Sequence, residues 1–258
     1  MNVFQSMLLG FVQGLTEFLP VSSSGHLILV RELLGLESSC MMYDILLHLG
    51  TLVPVFVFFG KEFLGLFRPP FGKMLRLIIA TLPAAVAGFL LSGMIDDVFG
   101  SGKFLCVTFA LTAVLLLLTE RLSSRNDRPS PLGTKQAVGM GLMQVVALLP
   151  GLSRSGSTVF GGIAMRGNRE DVAKFSFLMS VPVIFGSACV GLIGVATGSG
   201  TLELTVGWWE TLCGIAAATV GGMFAVKIMM KIIVKAKYKP LAFYLFGASI
   251  LSLVLALI

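Results

Sequence analysis

Charged residues are scarce in this chain. They make up 12% of its 258 residues, whereas hydrophobic residues make up 56%; soluble domains carry about 25% charge. This composition excludes a soluble globular protein, and it excludes a disordered chain, which needs low hydrophobicity and a high charge density. The relevant unit of length is therefore the membrane span of about 20 residues. The chain can supply six such spans, which leaves no room for a separate soluble domain.

Cysteine clusters and long basic runs are also missing from the sequence. The four cysteines lie far apart, without a CxxC pair or a Cys/His group, which excludes a disulfide framework or a zinc site. The net charge is +6, but no run of five like charges and no basic face interleaved with aromatic residues accompanies it. We therefore expect no nucleic-acid partner and take membrane lipid to be the surroundings.

Six apolar segments are each long enough to cross roughly 30 Å of hydrocarbon as a helix. They lie near residues 43–60, 74–95, 104–119, 175–198, 208–226 and 240–258. Two further apolar stretches, 2–30 and 136–166, are broken by Pro20 and Pro150, each followed by a Ser/Gly cluster. Because proline and glycine interrupt helices, each stretch is predicted to form two short helices. The predicted fold class is an all-α integral membrane protein with six transmembrane helices and two helical hairpins.

The basic residues indicate which loops face the cytoplasm. Sixteen of the nineteen fall in the four loops 61–76, 120–135, 166–174 and 227–239. The connections 96–103 and 199–207 carry almost none, so the positive-inside rule places the four basic loops in the cytoplasm. The stretch 136–166 then enters and leaves on the cytoplasmic side, and 2–30 dips in from the exterior. Both stretches are predicted to be re-entrant hairpins.

The two hairpins resemble each other in sequence. The first carries an SSSG core and the second an SRSG core 131 residues later, with three spans after each. An odd number of spans per half inverts the second copy in the membrane. We therefore predict one polytopic domain, 1–258, built from inverted repeats at 1–125 and 130–258.

Polar residues of the predicted membrane segments concentrate at the two hairpin tips, where their cost makes them functional candidates. If Ser22 and Ser153 open the second helix of each hairpin, two helix N-termini with free N–H groups point at one place and favour phosphate. Arg154 adds a bidentate donor for phosphate oxygens and has no acidic neighbour in its own hairpin. The candidates are Gln13, Glu17, Ser22, Ser23, Ser24, His26, Ser153, Arg154, Ser155, Ser157 and Thr158.

Spacing within the first hairpin indicates possible chemistry. Gln13 and Glu17 share one helix face, and a carboxylate beside a phosphate site usually holds a divalent cation. Ser23 and His26 are three residues apart, which suits a hydroxyl nucleophile and its general base.

Structural interpretations stand beside these functional ones. The serines of the first tip would also serve as simple N-caps, and Arg154 would also serve as an interfacial side chain or as the structural partner of Glu17. Asp44 and His48 are four residues apart near the start of a span, and we interpret them as a polar pair near the membrane interface.

The segment Gln13-xxx-Glu17 with PVSSSGH (Pro20–His26), together with PGLSRSGST (Pro150–Thr158), closely resembles the motifs of the bacterial undecaprenyl pyrophosphate phosphatase family, which is also named for bacitracin resistance. The resemblance runs over nearly the whole chain. It implies a multi-pass enzyme of the bacterial cytoplasmic (inner) membrane whose site opens to the periplasmic, outer face. It also implies a polyprenyl diphosphate substrate, undecaprenyl pyrophosphate, which loses its terminal phosphate to regenerate the lipid carrier for peptidoglycan synthesis.

The resemblance assigns roles position by position. Glu17 matches the essential acid, and Gln13 fills a site where members carry Glu or Gln, so a metal held by two protein carboxylates is not expected. Our own expectation is that Glu17 holds Mg²⁺ or Ca²⁺ against the diphosphate. Ser23 and His26 match residues that the family is thought to use in catalysis. The phosphate-binding motif matches Ser153, Arg154, Ser155 and Thr158, and we add Gln13, Ser22 and Ser24 as further substrate contacts.

Several alternatives stay open. Ser23 is the predicted nucleophile with His26 as its base. Direct attack on the phosphorus by His26 or by water is the alternative. Inverted repeats with broken helices are also a transporter architecture, so a transporter or flippase of a lipid phosphate or anion is the main rival function. A lipid phosphatase of the acid-phosphatase superfamily needs a second catalytic His followed by Asp, which this chain lacks, and a non-catalytic membrane protein leaves Arg154 unexplained. The oligomeric state is not fixed, and a homodimer is compatible with the sequence.

Overall fold

The structure is a computed structural model that describes residues 1–36, 41–99, 104–196 and 206–257. These residues form helices and no strand, apart from an isolated β-bridge between Ser130 and Gly167. The helices are α1 (Val3–Phe18), α2 (Ser23–Leu33), α3 (Met41–Leu64), α4 (Gly72–Phe99), α5 (Leu105–Ser124), α6 (Thr134–Val146), α7 (Arg154–Ala164), α8 (Arg169–Ala196), α9 (Trp208–Lys235) and α10 (Lys239–Leu257).

Six of the helices in the described ranges are long and apolar enough to cross a membrane, namely α3, α4, α5, α8, α9 and α10. Each coincides with a predicted span, so the six-span prediction is confirmed. Several helices extend beyond the predicted spans. Helix α9 continues past residue 226 to Lys235, because lysine favours helix although its charge excludes it from a span predicted by hydropathy. Some residues named in the predictions lie outside the described residues. These are Cys40, residues 100–103 (with Lys103), residues 197–205 and residue 258.

The two proline-broken stretches fold as pairs of short helices, α1 with α2 and α6 with α7. Ser22 Oγ caps α2 by accepting from the Gly25 N–H at 3.3 Å, and Ser153 Oγ caps α7 by accepting from the Gly156 N–H at 3.1 Å. The predicted breaks and both predicted serine caps are therefore confirmed. Entry and exit of each pair on one side of the membrane, and the inverted repeat, stay predictions.

Helix α1 packs along α9 at a separation that only glycine permits. A Cβ added to Gly10 would lie 2.1 Å from the carbonyl oxygen of Gly214, and a Cβ added to Gly14 would lie 2.1 Å from that of Ala218. Both distances are far below van der Waals contact, so any side chain at these positions would push the helices apart. The close approach fixes α1, and with it Glu17 in its last turn, against a helix from the other end of the chain.

The two hairpin tips contact each other directly. Ser155 Oγ donates a hydrogen bond to the carbonyl of Leu19 at 3.1 Å, and the N–H of Gly151 donates to Ser24 Oγ at 3.4 Å. Thr112 of α5 supports the second tip, because its Oγ1 accepts from the N–H of Ser153 at 3.2 Å. The N-termini of α2 and α7 are thereby held at a common place.

Candidate active site

A cavity of about 170 Å³ lies where the two hairpin tips meet. Its walls come from both hairpins and from α3 and α8. Its polar lining residues are Thr16, Glu17, Ser22, Ser23, Ser24, His48, Ser153, Arg154 and Ser187. Most of the predicted site residues therefore face one small polar cavity.

The Glu17 carboxylate accepts three hydrogen bonds in this cavity, and the residue is only 7% exposed. Its Oε1 accepts from Arg154 Nη2 at 2.7 Å. Its Oε2 accepts from Ser23 Oγ at 2.6 Å and from Gln13 Nε2 at 3.1 Å. The structure thus brings Gln13, Glu17, Ser23 and Arg154 together, as the sequence predicted for the Gln13–Glu17 helix face and for the meeting of the two tips.

The predicted pairing of Ser23 with His26 is wrong. His26 Nδ1 donates to the carbonyl of Ser22 at 2.7 Å, and His26 Nε2 accepts from the hydroxyl of Tyr244 at 2.8 Å. The reason is local: Ser22 has a left-handed backbone, with φ at 73°, and its carbonyl accepts from both the backbone N–H and the ring of His26. His26 therefore braces the hairpin tip, and Glu17 takes the place next to the serine hydroxyl.

Arg154 is the first residue of α7, and one of its two terminal guanidinium nitrogens has no hydrogen-bond partner among the described residues. Nη2 is bonded to Glu17, whereas Nη1 is buried and finds no hydrogen-bond partner among the described residues. The counter-ion that its own hairpin lacks is supplied by the other hairpin. A buried donor of a charged group is costly when unpaired, and a phosphate oxygen is the kind of acceptor that would satisfy it.

Only some of the predicted phosphate ligands face the cavity. Four of them do: Ser22, Ser24, Ser153 and Arg154. Ser155 and Thr158 are absent from the cavity wall as far as the described residues form it. Thr158 Oγ1 lies 2.7 Å from Ser176 Oγ and ties α7 to α8, and Ser155 ties the two tips together as described above. Both contacts are structural, and direct substrate contact by these two residues, or by Gln13 behind Glu17, stays a prediction.

Comparisons with known proteins identify the family of the chain. The family model described as "Bacitracin resistance protein BacA" matches residues 6–251. The chain belongs to this family. It is similar to the undecaprenyl-diphosphatase of Carboxydothermus hydrogenoformans, with 40% identity over 256 residues that cover 99% of this chain and 98% of the relative. It is also similar to that of Halothermothrix orenii (34% over 259 residues, 99% of both chains) and that of Methanosphaera stadtmanae (32% over 281 residues, 100% of this chain and 99% of the relative).

His48 belongs to this site, although sequence reasoning placed it elsewhere. Its predicted side-chain pair with Asp44 is wrong, because His48 Nδ1 donates to the backbone carbonyl of Asp44 at 2.7 Å. The Asp44 carboxylate pairs instead with Arg31 of α2. His48 Nε2 lies 3.6 Å from Glu17 Oε2 and lines the cavity. The chain has only two histidines, and this rarity was the one feature of the sequence that could have indicated a role for His48 in the site.

Tyr244, which contacts His26, was not predicted from the sequence to take part in the site. It lies 218 residues from His26 in sequence, on α10, and stacks on the imidazole with ring centroids 5.7 Å apart. Phe109 of α5 covers the ring at a centroid distance of 5.1 Å. A lone tyrosine in an apolar span has no motif around it, so only the fold reveals this contact.

A metal ion finds few protein ligands at this site. In the parts of the chain that the structure covers, no group of three or more His, Cys, Asp or Glu side chains converges. Among the described residues that line the cavity, Glu17 is the one carboxylate. Gln13 Oε1 is buried and has no hydrogen-bond partner among the described residues. A cation held by one carboxylate and completed by substrate phosphates and water is a common arrangement for Mg²⁺, so the residues fit a site that forms together with a diphosphate.

Proposed function

We propose that this chain hydrolyses undecaprenyl pyrophosphate to undecaprenyl phosphate and inorganic phosphate. The observation that carries the proposal is the 2.6 Å hydrogen bond from Ser23 Oγ to Glu17 Oε2, beside Arg154 and between two helix N-termini. A hydroxyl next to a base, with cationic and N–H donors around it, is the apparatus of phosphoryl transfer. The family match and the relatives named undecaprenyl-diphosphatase support the lipid substrate.

The terminal phosphate is bound by the meeting helix N-termini and Arg154. The first N–H groups of a helix have no partner inside it, and α2 and α7 both begin at the cavity. Arg154 contributes Nη1, which has no acceptor among the described residues. Ser23 and Arg154 line the same cavity, so a phosphate held by these donors would meet the nucleophile.

The reaction begins when Ser23 Oγ attacks the terminal phosphorus and its proton passes to Glu17 Oε2. The bond from phosphorus to the bridging oxygen breaks, and undecaprenyl phosphate leaves with that oxygen. Water then attacks the phosphorus of the phosphoserine and both of its protons stay on the phosphate; the bond from phosphorus to Oγ breaks, Glu17 returns its proton to Ser23 Oγ, and dihydrogen phosphate is released. Arg154 stabilises the charge on the equatorial oxygens in both steps, and protonation of Glu17 loosens the ion pair that otherwise occupies the guanidinium.

A divalent cation, Mg²⁺ or Ca²⁺, belongs to this proposal, with Glu17 as its protein ligand and the diphosphate oxygens as the others. When bound, it would neutralise the diphosphate and polarise the phosphoryl group. Glu17 Oε2 already accepts two hydrogen bonds, and the 3.1 Å contact from Gln13 is the longer. The cation would therefore replace the amide of Gln13, not the hydroxyl of Ser23.

The decisive experiment is phosphate release from undecaprenyl pyrophosphate by purified protein in detergent. We expect metal-stimulated release by the wild type and a loss of at least a hundredfold in Ser23→Ala, because the nucleophile is gone. Acid quenching followed by mass spectrometry should place a phosphoryl group on Ser23. Phosphohistidine at position 26, or an unimpaired Ser23→Ala enzyme, would contradict the serine mechanism. Absence of phosphate release from the wild type would leave the transporter function instead.

The site is proposed to open to the periplasmic face of the cytoplasmic membrane. The charge distribution over the loops supports this orientation. Two single cysteines in a cysteine-free background test this orientation. One is Ser187→Cys in the cavity wall and the other is Ser124→Cys at the end of α5, and both positions are exposed. A membrane-impermeant thiol reagent should label position 187 in intact cells and position 124 only after permeabilisation; the reverse pattern contradicts the orientation. Glu17, Ser23 and Arg154 come from one chain, so the proposal needs no homodimer.

A further inference from the structure

We propose that His48 is a second protein ligand of the divalent cation at Glu17, and that the site consequently binds Mn²⁺ more tightly than Mg²⁺ or Ca²⁺. The inference rests on the proposed function, which places a cation beside Glu17. It concerns a residue outside both hairpins, on α3, that the phosphatase mechanism above does not use.

The orientation of the His48 ring is fixed by one hydrogen bond. Nδ1 lies 2.7 Å from the carbonyl oxygen of Asp44. A carbonyl only accepts, so Nδ1 carries the hydrogen, and Nε2 is the ring atom left to bind a metal ion. Metal-binding histidines usually donate their other N–H to a backbone carbonyl or a carboxylate in this way.

His48 Nε2 faces a carboxylate oxygen, Glu17 Oε2, at 3.6 Å. The His48 side chain lines the cavity and is 28% exposed, while that of Glu17 is 5% exposed. A lone pair on Nε2 and the carboxylate oxygen repel each other at this distance unless a positive group lies between them. Two metal bonds of about 2.1 Å at the right angle that octahedral cations prefer would put their ligand atoms roughly 3.0 Å apart, so a shift of about 0.6 Å would let both atoms bind one cation.

The surroundings hold both ligands in place. Glu17 is fixed by Arg154 and Ser23. His48 is carried by α3, and the preceding turn of that helix is tied to α2 through the Arg31–Asp44 ion pair. Such support is what a preformed pair of ligands requires.

The identity of the second ligand selects among cations. Mg²⁺ and Ca²⁺ prefer oxygen ligands alone, whereas imidazole nitrogen favours first-row transition metals. Mn²⁺ accepts both ligand types and is also paramagnetic. His26 cannot supply the nitrogen, because Ser22 and Tyr244 occupy both of its ring nitrogens.

The test uses Mn²⁺ as the probe in the catalytically inactive Ser23→Ala protein, purified without a histidine tag. Electron spin-echo envelope modulation should detect a directly bound imidazole nitrogen, with Mn²⁺ alone or with Mn²⁺ plus methylene diphosphonate. Since the chain has two histidines, the added change His48→Gln should abolish the nitrogen signal. It should also weaken Mn²⁺ binding at least tenfold, and weaken Mg²⁺ binding much less.

A nitrogen signal that is absent in both arms, or one that persists in His48→Gln, would overturn the proposal. An absent signal would indicate a proton or water between the two side chains instead of a metal. Phosphate release by the wild type is measured separately, so failure of the metal assignment leaves the phosphatase proposal intact, and failure of phosphate release leaves the ligand assignment measurable.

Discussion

Ser23 and Glu17 lie on opposite sides of the helix break at Pro20, yet a hydrogen bond of 2.6 Å joins their side chains. The turn folds the start of α2 back onto the end of α1, which places the hydroxyl on the carboxylate six residues earlier. In the proposed mechanism, this contact moves the role of general base from a histidine in the same helix as the serine to an acid in the other helix of the hairpin.

Replacing Glu17 with Gln should abolish turnover while keeping most of the structure. The amide still accepts from Arg154 but has no basicity to take the serine proton, and a general base contributes about 10²–10⁴-fold. We expect kcat for phosphate release to fall at least a hundredfold. A matched Gln13→Ala protein, which loses a neighbouring amide but no base, should fall much less. Equal losses in the two variants would contradict the role of Glu17.

Arg154→Ala should lower kcat/KM at least a hundredfold, or roughly 3 kcal/mol of transition-state stabilisation. Arg154→Lys should recover only part of this loss, because an ammonium does not present the two separate donors that reach Glu17 and a phosphate oxygen. Added guanidinium ion should raise the activity of the alanine variant more than that of the lysine variant. Full activity in the lysine variant would indicate that charge alone is sufficient.

His26→Asn should be more active than His26→Gln. The Asn amide nitrogen takes the position of Nδ1 and can still donate to the Ser22 carbonyl, whereas the Gln nitrogen takes the position of Nε2. If His26 braces the tip, we expect Asn to retain several times the kcat of Gln. Equal inactivity of both would favour direct chemistry by the ring.

Tyr244→Phe removes one hydrogen bond to the same ring. Its loss should cost about 1 kcal/mol of stability, with kcat changed by less than an order of magnitude. Thermal unfolding and phosphate release measure the two effects separately. A collapse of kcat at unchanged stability would show that the hydroxyl of Tyr244 takes part in the chemistry.

The helices and their breaks are predictable from the sequence, because hydropathy, proline breaks and N-cap serines are local signals. The six spans and the starts of α2 and α7 follow from them. The partners of individual side chains do not. The Ser23–His26 pairing assumed that spacing along a helix decides the contact, but the left-handed turn at Ser22 directs the imidazole to a carbonyl. Tertiary packing places His48 at the cavity and Tyr244 against His26, and residue spacing does not encode it.

Gly14→Ala should destabilise the protein markedly. The added Cβ would lie 2.1 Å from the carbonyl oxygen of Ala218, so α1 and α9 must separate, and overpacking of this kind costs about 1–3 kcal/mol. Gly247→Ala on α10 is the matched control, since a Cβ there meets nothing within 4 Å. The control should be neutral or stabilised by up to about 1 kcal/mol. Thermal unfolding in detergent compares them, and equal melting temperatures would refute the close packing.

Removal of divalent cations should reversibly suppress phosphate release. Chelation by EDTA should abolish most of the activity of the wild type, and added Mg²⁺ or Ca²⁺ should restore it. Gln13→Glu supplies a second carboxylate on the same helix face, so it should lower the cation concentration needed for half-maximal activity. Activity that is unaffected by EDTA would rule out the cation.

The reactive groups are divided between the two halves of the chain: the acid and the hydroxyl belong to the first tip, and the guanidinium belongs to the second, 137 residues from its partner. Neither half therefore carries the proposed machinery alone, so the loss of either one would disable catalysis. If both halves descend from one shorter gene, their specialisation became possible only after that gene was duplicated, when mutations at one tip no longer appeared in the other.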